Sequence, residues 1–525
     1  MQKLAVRCAR LRSFHYRACM AFRGNRQVGS LLGVASVVGG LAAAQIIASF
    51  KNGLNNPVIS LGNRVIDHVP AAVKEFAIKT FGVNDKTALV ASILIVVLAM
   101  ALVIGHWFVG GKRNRAFSAV GALSAIAALA SLLDSGATIL SPFPSIVAGA
   151  TTSLTLYWFD TRAKQAEEDG DILSRRDLFR VFAVVGVGVI AAAGASRYLG
   201  DRASVQLQRL NLALPKPLKF LPAPPIDPAL TTPGLSKLFT PNDQFYKIDT
   251  AISVPNISLD TWRLRIDGMV ANPREFTYQE LTSRPVFELD DTIACVSNEV
   301  GGYLVGNARW LGIRLDDLIK EVGPTSSADQ IMGYSSDGFS AGFPLAALDG
   351  RDAMIAFGMN GEPLPLDHGF PVRIIVPGLY GYVSATKWLT RIELTRFDQK
   401  QGYWVPRGWS ALAPIKTQSR IDTPKNGDNV KVGKVAIAGV AWAPTRGISK
   451  VEVRIDDGPW REATLGPELA KTTWRQWWIE WPAAKGERTI SVRATDGTGA
   501  LQSSSRTSPE PDGAQGWHLI NCTVG

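Results

Sequence analysis

Two hydrophobic patterns divide the chain. Over the first 200 residues apolar positions run together almost without charges. Five stretches approach the roughly 20 mostly apolar residues that one helix needs to cross a bilayer core: Val28–Phe50, Thr87–Val109, Ala116–Leu133, Pro144–Phe159 and Leu178–Ser196. The fourth is short and rich in Ser and Thr. Any one of them could be a buried core helix, but five in succession predict a multi-span helical membrane domain over residues 1–200.

After Leu238 the period changes to two. Trp262, Leu264 and Ile266 alternate with polar neighbours, as in a half-buried strand. "PVRIIVPG" predicts a buried strand with turn signals at both ends, and "LDDLIKEV" and "PLAALDG" predict short helices. A mixed α+β domain over 238–413 accounts for this stretch. Beyond Arg420 the alternation is carried by Val435 and Ile437, by Val451, Val453 and Ile455, and by Ile490 and Val492. Asp457-Gly458 and Asp496-Gly497 are hairpin signals. These predict an all-β sandwich of the immunoglobulin-like kind over 414–525. Trp474, Trp477, Trp478 and Trp481 cluster there and are read as core plus an interface face. Residues 201–237 contain "LALPKPLKFLPAPPIDPALTTPGL", whose prolines predict an extended, semi-rigid linker.

Charge orients this arrangement. The net charge is +11 over 525 residues. Much of the excess lies in the head, where Lys3, Arg7, Arg10, Arg12, Arg17, Arg23 and Arg26 have no acidic neighbour. A nucleic-acid arm would look similar, but an apolar run follows at once, and basic residues flanking a span mark its cytoplasmic side. The turn ending at Arg115 and the group Arg162, Lys164, Arg175 and Arg176 fall on that same side if the spans alternate. Five spans then place everything after residue 200 outside the plasma membrane. The outer loop Lys51–Lys86 carries five basic residues of its own, against this trend. "SRRDLFR", Ser174 to Arg180, precedes the fifth span and resembles a twin-arginine export signal, which serves proteins exported already folded.

The chemistry starts from cysteine. There are four, Cys8, Cys19, Cys295 and Cys522, too few for a disulfide framework. Cys295 stands in "DDTIACVSNEVGGYLVGNARW" after an apolar run and before a turn-rich segment. From the residues alone it is a buried hydrophobe, half of a Cys295–Cys522 bridge, a nucleophile or a metal ligand.

The outer half resembles the sulfite oxidase family. The matching stretches are "TPNDQFYKID", "TIACVSNEVGG", "GNARWLGIRLDDLI", "SSDGFSAGFPL", "MNGEPLPLDHGFPVRIIVPGLYGYVSATKWL" and "APIKTQSRID", in the family's order. The resemblance implies a molybdopterin-binding domain followed by an immunoglobulin-like dimerisation domain. The membrane half looks like an actinobacterial-type addition. By this resemblance Cys295 ligates molybdenum, as a soft thiolate suited to a metal that changes oxidation state, with Asn298 beside it. His368 and Arg373, five residues apart, hold the molybdopterin cofactor. The Gly-rich loop with Ser384, Thr386 and Lys387 cradles its phosphate; this loop is one residue longer than in close relatives. Asp243, Tyr246 and Lys247 align with an early cofactor contact, and Ser336 and Asp337 with a later one.

One position departs from the family. Glu299 stands where sulfite oxidases carry an arginine near the substrate, so a carboxylate near the metal is expected to repel sulfite, with Arg309 supplying charge from elsewhere. The expected activity is therefore oxo transfer on a small S- or N-containing substrate, with sulfite oxidation as the alternative. The rival classes are a cysteine hydrolase using Cys295 and His368 and a non-enzymatic surface protein. The chain has no Cys-x-x-Cys-His haem motif, and of the predicted spans only the second contains a histidine, His106. Electrons are thus expected to pass to a separate carrier, such as a quinone or cytochrome.

Overall fold

The computed structural model describes residues 26–50, 54–70, 73, 76–77, 80–81, 85–134, 137–168, 186–190, 194, 201–225 and 230–525. Contacts divide the chain into two compact units. The first contains residues up to Leu207 together with Ala251–Asn256; the second contains Gln208–Thr250 and Ile257–Gly525.

The first unit is helical. Among the described residues three helices are long and apolar enough to cross a membrane, at Gly29–Ala48, Asp85–Val109 and Arg113–Leu132. They correspond to the first three predicted spans. The fourth predicted span lies within the helix Phe143–Glu168. That helix is long enough, but it carries Thr151, Thr152, Ser153 and Thr155 and ends in charges, so it falls short in apolarity. The fifth span and Arg175–Arg176 lie largely outside the described residues.

Close packing here depends on small residues. A Cβ added to Gly33 would come within 2.1 Å of the Ala101 carbonyl, and one on Gly105 within 1.9 Å of the Gly29 carbonyl. Gly29 and Gly33, one helical turn apart, thus let two backbones touch. The loop expected between the first two spans contains a helix instead, Pro57–His68. Its start was readable: Asn56 caps it by accepting from the Val58 N–H, and Pro57 occupies the first turn, where no backbone donor is needed.

The second unit holds four sheets. One is ordered Arg274–Thr277, Arg263–Gly268, Leu389–Thr395, Gln330–Ser335, Ser340–Pro344; another runs Phe287–Ala294, Val305–Arg314, Met354–Met359, Glu362–Pro363, with Arg373–Ile375 also on Met354–Met359. A single core joins these two, built from Leu264, Ile266, Phe276, Leu318, Ile331, Phe357 and Ile374. The helix over "LDDLIKEV" forms as the pattern predicts. Leu315, Leu318, Ile319 and Val322 are buried, and Gly323 ends it in the left-handed conformation.

The remaining two sheets make the predicted β pair. Gln418–Thr423, Gly433–Trp442, Arg475–Ala483 and Thr464–Leu465 form one; Asn429–Val430, His518–Val524, Gly486–Asp496, Ile448–Ile455 and Arg461–Glu462 form the other. Ile437, Val451, Val453, Trp477, Trp481, Ile490 and Val492 share the core between them. Trp474 leaves this cluster. It is buried in the preceding core, where its indole donates to the Leu238 carbonyl. Cys295 and Cys522 are both free thiols, which removes the bridge that the sequence left open.

Candidate active site

Cys295 is the first residue beyond the strand Phe287–Ala294, which pairs antiparallel with Val305–Arg314. Its N–H donates to the Leu304 carbonyl at 2.8 Å, closing the hairpin. Asn298 then ties the connecting turn from within, its Oδ1 accepting from the Leu304 N–H at 2.8 Å. Gly301 is left-handed, with φ of +80°, and a Cβ there would lie 2.2 Å from the His518 ring. Only glycine suits this position. The turn is therefore rigid, and Cys295 sits at a cleft.

The facing wall comes from residues 368–388. His368 is buried, and its Nε2 donates to the Asn242 carbonyl at 2.8 Å. Burial lowers its pKa to about 4, helped by Arg373 and Lys387, so the ring is neutral at pH 7. Arg373 donates to the His368 carbonyl at 3.0 Å and to the Ala385 carbonyl at 3.3 Å. Its guanidinium lies 5.1 Å from the centre of the Trp310 ring. Nε is buried with no partner. Burial lowers the Arg373 pKa to about 10, which leaves the side chain charged at neutral pH. Lys387 donates to Asp249 at 2.6 Å and to the Asp367 carbonyl at 3.0 Å. The phenol of Tyr246 is pushed up, mainly by burial of its hydroxyl end and then by Cys295 nearby, with Arg373 opposing.

The predicted residues separate into three groups. Cys295, Tyr246, Asp337, His368, Arg373 and Lys387 line the cleft. Asn298, Ser384, Thr386, Ser336 and Lys247 stand behind it or beside it. Ser384 Oγ donates to the carbonyls of Leu379 and Tyr380. Thr386 packs against Gly333, and Lys247 forms an ion pair with Asp367. The Ser336 hydroxyl is buried without a partner. Asp243, Glu299 and Arg309 do not line the cleft. Asp243 and Glu299 are exposed. Arg309 faces away as well. It is the cross-strand partner of Asp290, pairs with that carboxylate at 2.7 and 2.8 Å, and donates to the carbonyls of Leu221 and Pro222.

Several lining residues were not singled out from the sequence. Ile248, Asp249 and Thr250 extend the early segment; Ser335, Phe339, Gly381, Tyr382, Ala385, Trp388 and Trp404 complete the walls. Trp388 had a signal, since "TKWL" lies within a recognised stretch. It is held left-handed at φ +49°, costly for a bulky residue, by an indole bond to the Leu366 carbonyl. Trp404 had no local signal.

Residues 251–404 match the family model described as "Oxidoreductase molybdopterin binding domain". The uncharacterized oxidoreductase YuiH of Bacillus subtilis is 30% identical over 148 residues, covering 28% of this chain and 72% of that protein. Human mitochondrial sulfite oxidase is 30% identical over 301 residues, covering 48% of this chain and 55% of the human one. The chain belongs to the sulfite oxidase family of molybdopterin oxidoreductases. Its match spans about half the length of the mitochondrial sulfite oxidases. The crystal structure of the sulfane dehydrogenase SoxCD from Paracoccus pantotrophus is also similar, with 22% identity, a TM-score of 0.45, and coverage of 55% of this chain and 81% of that one.

The cleft suits such a family member's cofactor. A pterin phosphate needs a buried, charged donor with an unspent N–H, and Arg373 Nε is one. The metal needs a soft ligand that the fold holds still. Burial raises the Cys295 thiol pKa while Ser297 opposes that shift, so the free group is protonated and metal binding releases its proton. Among the described residues no three His, Cys, Asp or Glu side chains converge on a metal site.

Proposed function

We propose that the chain is a membrane-anchored molybdenum oxidoreductase that moves an oxygen atom to or from a small S- or N-containing substrate on the outer side of the plasma membrane. One observation carries the reading: a single cleft holds the Cys295 thiol, the buried Arg373 with a free N–H, neutral His368 and Lys387. Cys295 would ligate the metal. Arg373 and Lys387, with the backbone of residues 381–387, would hold the pterin and its phosphate. The bound cofactor supplies two-electron oxygen-atom transfer; the protein supplies orientation and electrostatics.

The chain's own residues argue for an uncharged substrate. Glu299 is exposed, so its charge no longer decides the question. The lining does. Ile248, Phe339 and Trp404 give the cleft a partly apolar lining. Lys387 is committed to Asp249 and Arg373 lies under Trp310. Sulfite remains the second reading, favoured by the names of the family's curated members.

Three apolar helices support the anchor. Basic segments that fall on one side if the spans alternate, and "SRRDLFR", support an outer location. The paired sheets after Gln418 fit an immunoglobulin-like domain over 414–525 and a homodimer through it, beside an α+β domain over 238–413. The electron carrier is a separate protein or quinone. The deciding experiment measures molybdenum in the purified full chain and its turnover of a neutral S-oxide and of sulfite. Stoichiometric molybdenum with turnover of either substrate supports the reading; a metal-free chain that turns over neither ends it.

A further inference from the structure

The segment after the helix Asp201–Leu210 first turns inward and then outward. Leu212 and Leu214 pack on the core of the second unit, and Pro217 is buried. Leu218 and Phe220 then stand 81% and 62% exposed, between the exposed Lys216 and Lys219. Single exposed apolar side chains need no explanation. Two large exposures close together, on a segment the fold holds rigidly, do.

The rigidity comes from a clasp. The Leu218 N–H donates to the Val286 carbonyl at 2.9 Å, and the Leu221 N–H donates to Glu288 at 2.7 Å. Arg309 closes the far end by donating to the carbonyls of Leu221 and Pro222 while Asp290 fixes its guanidinium. A simple tether would need none of these bonds. Here Leu218 to Leu221 are fastened at both ends, so that a leucine, a lysine and a phenylalanine face outward, with the exposed Lys216 just before them.

We propose that residues 216–220 form an interfacial lipid-contact element, with Leu218 and Phe220 entering the headgroup boundary of an anionic bilayer and Lys216 and Lys219 pairing with its phosphates. The charge pattern favours lipid over protein. Apolar side chains flanked by lysines, without a carboxylate among them, match an anionic surface. The proposal rests on the membrane-anchored reading: a chain with helices in the bilayer keeps this segment close to lipid. The clasp would then fix the distance and tilt of the catalytic cleft above the membrane.

The test uses the full chain in nanodiscs with a photoreactive benzoylphenylalanine at position 218 or 220, and at exposed Leu501 as reference. The expected result is phospholipid adducts at 218 and 220 and few at 501. Lys216→Gln with Lys219→Gln should lower the yield in phosphatidylglycerol discs, about five-fold for each lysine lost, and leave it unchanged in phosphatidylcholine discs. Adducts to protein instead of lipid, or equal lipid labelling at 501, overturn the proposal. So does a yield indifferent to the lysines. A chain that fails to enter nanodiscs at all refutes the anchored reading on which the proposal stands.

Discussion

The guanidinium of Arg420 donates to the carbonyl of Gly302 at 2.8 Å, and so braces the turn that presents Cys295 from a strand of the following β domain. The same side chain lies 5.1 Å from the Tyr303 ring centre and pairs with Asp422 at 2.6 Å, with both partners almost wholly buried. The last two sheets of the second unit are thus tied to the turn that follows Cys295. Arg420→Ala should destabilise the second unit by about 3 kcal/mol, because it leaves Asp422 buried without its partner. It should also speed alkylation of Cys295 in cofactor-free protein. Arg420→Ala with Asp422→Ala should recover most of the stability but not the slow alkylation. Unfolding curves and thiol labelling of the three proteins check both parts.

Gly301 tests the same brace from the other side. Gly301→Ala should disrupt the turn, since the new Cβ meets the His518 ring. Adding His518→Ala should return part of the loss by making room. A residual cost of about 1 kcal/mol should persist from the left-handed backbone. Full recovery in the double variant would mean that the positive φ is not required.

Acid stability follows from two histidines, the buried His368 and the half-buried His518. His368 and His518 both have their pKa lowered by burial to about 4. His518 Nδ1 accepts from the Ile421 N–H, a bond that protonation there removes. The unfolded chain binds these protons near pH 6.5 and the folded chain does not. The stability is full above that pH and declines as pH falls from 6.5 towards 4. Each ring contributes at most roughly 3 kcal/mol to the decline. Denaturation midpoints at pH 7 and pH 4.5 should differ, and His518→Gln should shrink the difference. Equal midpoints for the unmodified protein would contradict the burial argument.

Much of this architecture was legible because local pattern and tertiary need agree. The helix Leu315–Val322 shows the spacing of its buried face in its sequence, and Trp262, Leu264 and Ile266 show theirs. Cys295, His368, Arg373 and Lys387 were legible through family spacing, and all four line the cleft. Arg309 was misplaced because alternation predicts strands without register: only pairing reveals that it sits opposite Asp290. Glu299 was misplaced because distance along a turn says little about direction. Trp404 and Phe339 reach the cleft from distant segments, which no short window could show.

Cys295→Ser separates ligation from folding. Serine is nearly isosteric, and the contacts of Arg373 and Lys387 do not involve residue 295. The variant should keep its unfolding midpoint and lose oxygen-atom transfer. Arg373→Lys should act differently, since lysine cannot replace the bonds to the His368 and Ala385 carbonyls and still offer a fork. It should lose retained pterin, measured by fluorescence after release. A fully active Cys295→Ser protein would remove the ligand assignment.

Substrate charge is the last point that the cleft decides. With Ile248, Phe339 and Trp404 on the lining, an anion entering the cleft loses hydration, and the buried cation there with an unspent N–H, Arg373, is the group proposed to hold the pterin phosphate. A neutral S-oxide loses less. The unmodified enzyme should therefore turn over the neutral substrate with a higher kcat/KM than sulfite. Ile248→Arg places a cation on that lining. A charge pair at ~4 Å and an effective dielectric constant near 20 is worth about 4 kcal/mol as a ceiling, and a quarter of it is roughly a five-fold gain. Sulfite KM should fall by at least that factor, with little change for the neutral substrate. Glu299→Arg, exposed and away from the lining, should alter neither preference. Steady-state kinetics of the three proteins with both substrates provide the measurement. If Glu299→Arg improves sulfite binding and Ile248→Arg does not, the substrate approaches from the Cys295 turn and the apolar lining does not select it.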